Sequence, residues 1–97
     1  MLPDELMISR ARFTLGELLA TPGVLQRLTG EEILFALARH AAGDWGDLCD
    51  EDRAENEGAL RKGFRLFSAY RSGGGVKFWI ITEADRSATT VLLPMEY

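Results

Sequence analysis

The chain has one cysteine, Cys49, and one histidine, His40. A lone thiol forms no internal disulfide and supports no zinc site built from several cysteines, so a reducing, cytoplasmic setting is expected. No apolar run approaches the roughly 20 residues that span a bilayer, which argues against membrane insertion. The opening Met1-Leu2-Pro3-Asp4-Glu5 has neither a basic n-region nor an apolar h-region, and no secretory signal is expected there. Ser72-Gly73-Gly74-Gly75 lacks the lysine and following helix of a phosphate-cradling loop, so its glycines read as a turn. Basic residues are scarce where acids gather. Between Asp44 and Glu57 seven acids face Arg53 alone, a local charge of about −6 that leaves the rest of the chain at about +2. A field of that sign disfavours direct contact with nucleic-acid phosphates and suits a partner with a basic surface. The same acids are equally explained as a solvated helix face.

What is present is enough for one core. With 97 residues, 46% of them hydrophobic, the chain reads as a soluble single domain, residues 1–97. Helical signals precede Gly63 and alternation follows it. Thr14-Leu15-Gly16-Glu17 has capping-box spacing and predicts a short first helix. Thr21-Pro22 starts another, with Thr21 as N-cap and Pro22 at the first helical position. Thr29-Gly30-Glu31-Glu32 opens the strongest helix, about Gly30 to Ala42, with an inward stripe of Ile33, Leu34, Ala36, Leu37 and Ala41. A further helix is predicted from about Leu48 to Lys62, entered through Asp47 or Asp50 and closed by Gly63. Phe64–Arg71, Val76–Glu83 and Ala88–Leu93 read as strands, with Pro94 as a stop. The expected fold is α+β: three to four N-terminal helices on a C-terminal three-stranded antiparallel meander, with Val76–Glu83 in the middle.

Several residues invite a chemical reading. His40 with Asp44 and Asp47 has the residue types of a metal site, but the spacing crosses a helix end and a glycine-flanked loop. Its position near a helix C-terminus is equally explained by the dipole. Cys49 lies in the most acidic stretch, where a thiolate is disfavoured, and is expected in the core. Glu83 and Asp85 have the form of a carboxylate pair, with Arg86 beside them to neutralise it and turn chemistry as the simpler account. The stripe Cys49, Asp52, Asn56, Leu60 and Gly63 is expected to face inward, with Asp52 and Asn56 in a polar network supplied by Arg65, Thr82 or the Trp45 indole. In Gly43-Asp44-Trp45-Gly46-Asp47 the tryptophan is either a plug or an exposed anchor. Asp47, Glu51 and Glu55 recur every four residues and predict a row of exposed carboxylates, with Asp44 and Asp50 beside it.

Three segments carry a resemblance: Phe13 to Gly23 (FTLGELLATPG), Arg39 to Leu48 (RHAAGDWGDL) and Trp79 to Ser87 (WIITEADRS). Together they resemble a family of small bacterial proteins carried on plasmids and integrated elements. The resemblance spans nearly the whole chain and brings no catalytic residues. It implies a stoichiometric anti-defence inhibitor, with type I-C anti-CRISPR inhibitors among the relatives, that occupies a protein surface meant for DNA.

The expectation is therefore a cytoplasmic, non-enzymatic inhibitor without metal or cofactor. Its partner would be a basic protein surface, such as a CRISPR surveillance complex subunit, met through Asp44, Trp45, Asp47, Asp50, Glu51 and Glu55. The alternatives are a small metal-assisted hydrolase or nucleic-acid-modifying enzyme and a regulatory module dimerised through an edge strand. A monomer is favoured over a homodimer.

Overall fold

A computed structural model describes residues 10–97; the reading of the first five residues falls outside that range. The elements run β1 (Glu17–Ala20), α1 (Pro22–Arg27), α2 (Gly30–Ala41), α3 (Asp50–Lys62), β2 (Leu66–Arg71), β3 (Lys77–Thr82), β4 (Ala88–Leu92) and a 3-10 turn (Pro94–Glu96). The four strands form one sheet in the order β1-β4-β3-β2. β2 with β3 and β3 with β4 are antiparallel, whereas β1 lies parallel to β4. No helix among the described residues is long and apolar enough to cross a membrane.

This corrects the expected architecture. The sheet is four-stranded and mixed, not a three-stranded meander, and a strand precedes the helices. The capping-box spacing of Thr14 to Glu17 opens no helix. Instead Glu17 N–H donates to Ser87 O at 2.9 Å and Thr21 N–H to Val91 O at 3.0 Å, so this short segment joins the ladder of a strand some seventy residues away. Gly16 makes the approach feasible. Its φ is +67°, and a Cβ there would stand 2.4 Å from the Ser87 backbone. Local capping preferences are weak against tertiary ladder bonds.

Thr21 and Pro22 cap α1, and α2 opens with the reciprocal bonds between Thr29 and Glu32. These two helices cover one sheet face. Val24, Ala36 and Leu37 meet Tyr70, Phe78, Ile80 and Val91 in the main core. Ile33, Ala36, Leu37 and Ala41 turn inward as the periodicity demands, but Leu34 is 37% exposed and belongs to the outer side.

The third helix does not lie on a sheet face. It runs beside the outer edge of β2, and its side chains account for part of that edge. The Asn56 amide donates to Phe67 O at 2.6 Å and accepts from Phe67 N–H at 3.1 Å. Two residues on, Ala69 exchanges bonds with the Gly43–Asp47 loop: its N–H reaches Trp45 O at 3.2 Å, and its carbonyl accepts from Asp47 N–H at 2.7 Å. Gly46 is needed at this crossing because a Cβ would stand 2.0 Å from Ala69 O. The edge of β2 is thereby occupied rather than left to pair with another chain.

Candidate interaction surface

The acidic segment is divided between acids that hold the fold and acids that do not. Arg39 donates to Asp44 through Nε at 2.7 Å and Nη2 at 3.2 Å, while its guanidinium lies 4.6 Å from the Tyr70 ring centroid. Asp44 also accepts from Gly46 N–H, and its carbonyl accepts the Tyr70 hydroxyl at 2.6 Å. The bonds from Arg39 hold the Asp44 carboxyl below its usual range. Glu57 is engaged in the same way. Arg12 donates to both its oxygens at 3.0 and 2.9 Å, and the Trp45 indole donates to Oε2 at 3.0 Å. The Arg12 and Trp45 bonds lower the Glu57 carboxyl to about 2.

Trp45 is the plug. Its side chain is 2% exposed, stacked 6.2 Å from Phe13 over a small second core that includes Ala59 and Leu66. It is therefore corrected as a contact anchor: a buried indole with a satisfied N–H presents nothing to a partner. Asp44 contributes to the loop rather than to an open row of charge.

The other acids are free of such ties. Asp47, Asp50, Glu51, Asp52 and Glu55 are exposed, and among the described residues none has a cation within 4 Å. Arg53, the basic residue in their midst, points its guanidinium at the Gly46 and Leu48 carbonyls at 2.6 and 2.9 Å. α3 begins at Asp50 with Cys49 as N-cap, two residues later than expected. Asp47 therefore lies in the preceding loop, and only Glu51 and Glu55 share a helical row. α3 meets the edge of β2 through Asn56, and Cys49 and Asp52 are exposed instead of facing inward. From the expected inward stripe, Asn56 is the polar residue that is buried.

His40 is sealed. Its side chain is 0% exposed, with Nδ1 2.6 Å from Ser68 Oγ and Nε2 2.9 Å from Thr82 Oγ1. Thr82 Oγ1 is in turn 2.7 Å from Thr89 Oγ1, whose hydroxyl donates to Leu15 O. Each hydroxyl has one proton, so the chain has one direction. Thr89 spends its proton on Leu15, Thr82 must donate to Thr89, His40 Nε2–H donates to Thr82, and Ser68 donates to Nδ1. Burial, followed by the nearby Arg86 charge, depresses the imidazole to about 3 and keeps it neutral. Both nitrogens are used and Asp44 is held by Arg39, so the postulated His40–Asp44–Asp47 site does not assemble. Among the described residues no three His, Cys, Asp or Glu side chains converge to hold a metal.

Glu83 and Asp85 do not meet as a pair either. Glu83 lies 3.6 Å from Arg65, and Asp85 accepts from Ser87 N–H within the turn. Arg86, expected to neutralise them, instead donates to the carbonyls of Phe64 at 2.7 Å and Ala59 at 3.3 Å. It ties the β3–β4 turn to the C-terminus of α3, at a φ of +62° that its hydrogen bonds enforce. Sequence reasoning missed this clamp, along with Arg12 and Ser68, because each partner is distant in the chain. It also missed Arg39, whose partner Asp44 lies only five residues on, past the end of α2.

Compared with protein families, curated proteins and solved structures, the chain shows no significant match.

Proposed function

We propose that this protein is a non-enzymatic, acidic anti-defence inhibitor that binds a basic, nucleic-acid-binding surface of a host complex in the cytoplasm. The resemblance of its three sequence segments points to a CRISPR surveillance complex as that host. One observation carries the reading: α3 presents unneutralised carboxylates on a helix that stands at the sheet edge. Asp50, Glu51, Asp52 and Glu55 place four charges along about 9 Å of helix axis. Duplex DNA carries one per about 1.7 Å, so the helix approaches that density. Asp47 extends the field into the loop. The neighbouring acids Asp44 and Glu57 anchor the helix and its loop, through Arg39 and Arg12, and so keep the carboxylates in place. Attraction between such a surface and a basic groove speeds encounter and fixes orientation without any bond chemistry.

The decisive variant is Glu51→Lys with Glu55→Lys. Both positions are exposed and make no contact on which the fold depends. Inhibition of a host surveillance complex should be abolished while the circular dichroism spectrum and melting temperature are retained. Full inhibition by the folded variant refutes the role of α3.

A further inference from the structure

The sheet has a second face, and its chemistry is unlike that of α3. Phe67 pairs with Ile81, Ala69 with Trp79 and Arg71 with Lys77, all on the side opposite the buried Leu66, Ser68 and Tyr70. α1 and α2 pack on the Tyr70 side and α3 runs along the edge, so among the described residues no helix covers this face. Phe67 and Trp79 are half-buried and meet edge to face at 5.0 Å between centroids. Tyr97, 71% exposed, stands edge-on to Trp79 at 5.8 Å. Between these rings lies a mainly apolar groove of about 270 Å³, bounded also by Ile81 and Arg65. Ala69, opposite Trp79, is too small to cover an indole.

Cations stand at both ends of this aromatic strip. Arg71 and Lys77 are exposed and directly opposite one another, a like-charged cross-strand pair that works against the sheet unless an anion lies between. Two residues along a strand is about 7 Å, which places this pair one step beyond the Trp79–Ala69 pair. At the other end Arg65 bonds the Tyr97 hydroxyl at 3.3 Å, with Glu83 as its acidic neighbour. The acidity of the chain is concentrated between Asp44 and Glu57, and at physiological salt a charge is screened over about 8 Å. Phe67 and Arg65 also line a cavity with Glu51, Asp52 and Glu55, so the sheet face adjoins the acidic helix at its β2 edge, while the Arg71–Lys77 pair lies outside that cavity.

Aromatic rings set edge to face, with phosphate-seeking cations at either end, suit one kind of ligand. We propose that the helix-free face is a stacking platform for single-stranded nucleic acid, with bases against Trp79 and Phe67 and phosphates at the Arg71–Lys77 pair and Arg65. Stacking needs the π-face of an unpaired base, which a duplex does not offer and an acidic peptide lacks. The expectation of no direct nucleic-acid contact was drawn from α3 and does not extend to this face.

The test is a titration of the whole protein against a labelled oligothymidylate of about ten nucleotides, within the range one such platform occupies. Anisotropy is read at low and at physiological salt. Wild-type protein should bind, bind more weakly as salt rises, and show quenched indole fluorescence. Trp79→Phe should keep most of the affinity and lose most of the quenching, because Trp45 is buried. Trp79→Ala should bind about tenfold more weakly. Arg71→Glu with Lys77→Glu, at exposed positions, should abolish binding, and this pair decides the matter if Trp79→Ala fails to fold. Glu51→Lys with Glu55→Lys should bind no less tightly, which separates this face from α3. The proposal is overturned by absent binding at low salt, by unchanged affinity in the Arg71/Lys77 variant, or by polyglutamate or duplex DNA competing as well as the single strand.

Discussion

Ser68 donates its hydroxyl proton to Nδ1 of His40 across 2.6 Å, in a place that water does not reach. A serine and a histidine at this distance have the form of a nucleophile and its base. Here both are fully buried, and the imidazole passes its other proton to Thr82. The pair therefore joins α2 to the sheet. The donor order requires the Nε2–H tautomer, and ¹⁵N–¹H correlation spectra of the ring should show a protonated Nε2 with an unprotonated Nδ1. The opposite tautomer would break the order from Ser68 to Leu15. Ser68→Ala removes the donor to Nδ1 and should cost about 1–3 kcal/mol.

The same burial makes stability depend on pH. The His40 imidazole is held at about 3 in the folded protein, against about 6.5 when exposed. Between those values the unfolded chain binds a proton that the folded chain refuses. The stabilisation is therefore fully present above about pH 6.5 and is lost as pH falls toward 3, by about 1.4 kcal/mol per unit. Asp44 and Glu57 also have lowered values, and their contributions decline only below the ordinary carboxylate range. The interval from about pH 6.5 to 4.5 thus reports His40. Urea midpoints across it should fall for the wild type and stay nearly level for His40→Gln. An equal slope in both would locate the titrating group elsewhere.

Asn56 closes the Phe67 stretch of the β2 edge with one side chain. In Asn56→Ala the N–H and C=O of Phe67 lose their partners in a partly buried place, for a loss of about 2 kcal/mol. The bared edge should also raise self-association, since an open strand invites a second one. Urea denaturation and light scattering read the two effects. A variant as stable and as monodisperse as the wild type would show that α3 is held at the edge by other contacts.

Much of the local structure was legible because its causes are local. Thr21 with Pro22 starts α1, Thr29 with Glu32 starts α2, and Gly63 ends α3 at a φ of +79°. Each rests on hydrogen bonds within about four residues or on one residue's own φ. The alternation Lys77, Trp79, Ile81 against Phe78, Ile80, Thr82 likewise assigns two faces to β3 before any partner is known. The exposed acids Glu51 and Glu55 followed from helical spacing alone.

Other features had no local signal. Phe13-Thr14-Leu15-Gly16-Glu17 satisfies a capping rule and still becomes the approach to a strand, because Ser87 and Val91 supply bonds from far along the chain. Asp44 and Glu55 look alike in sequence, and only the placement of Arg39 distinguishes a structural carboxylate from an open one. Trp45 left both plug and anchor open until Phe13, Glu57 and Leu66 were seen around it.

The concentration of negative charge between Asp44 and Glu57, and the caps that define the helices, were determined by the sequence itself, since charge and capping depend on residues close in the chain. Tertiary structure decided which acids remain free, where α3 stands, and that His40 and Trp45 are interior. Those outcomes depend on Arg12 with Glu57, Ser68 with His40 and Asn56 with the edge of β2, partners far apart in sequence that only folding brings together.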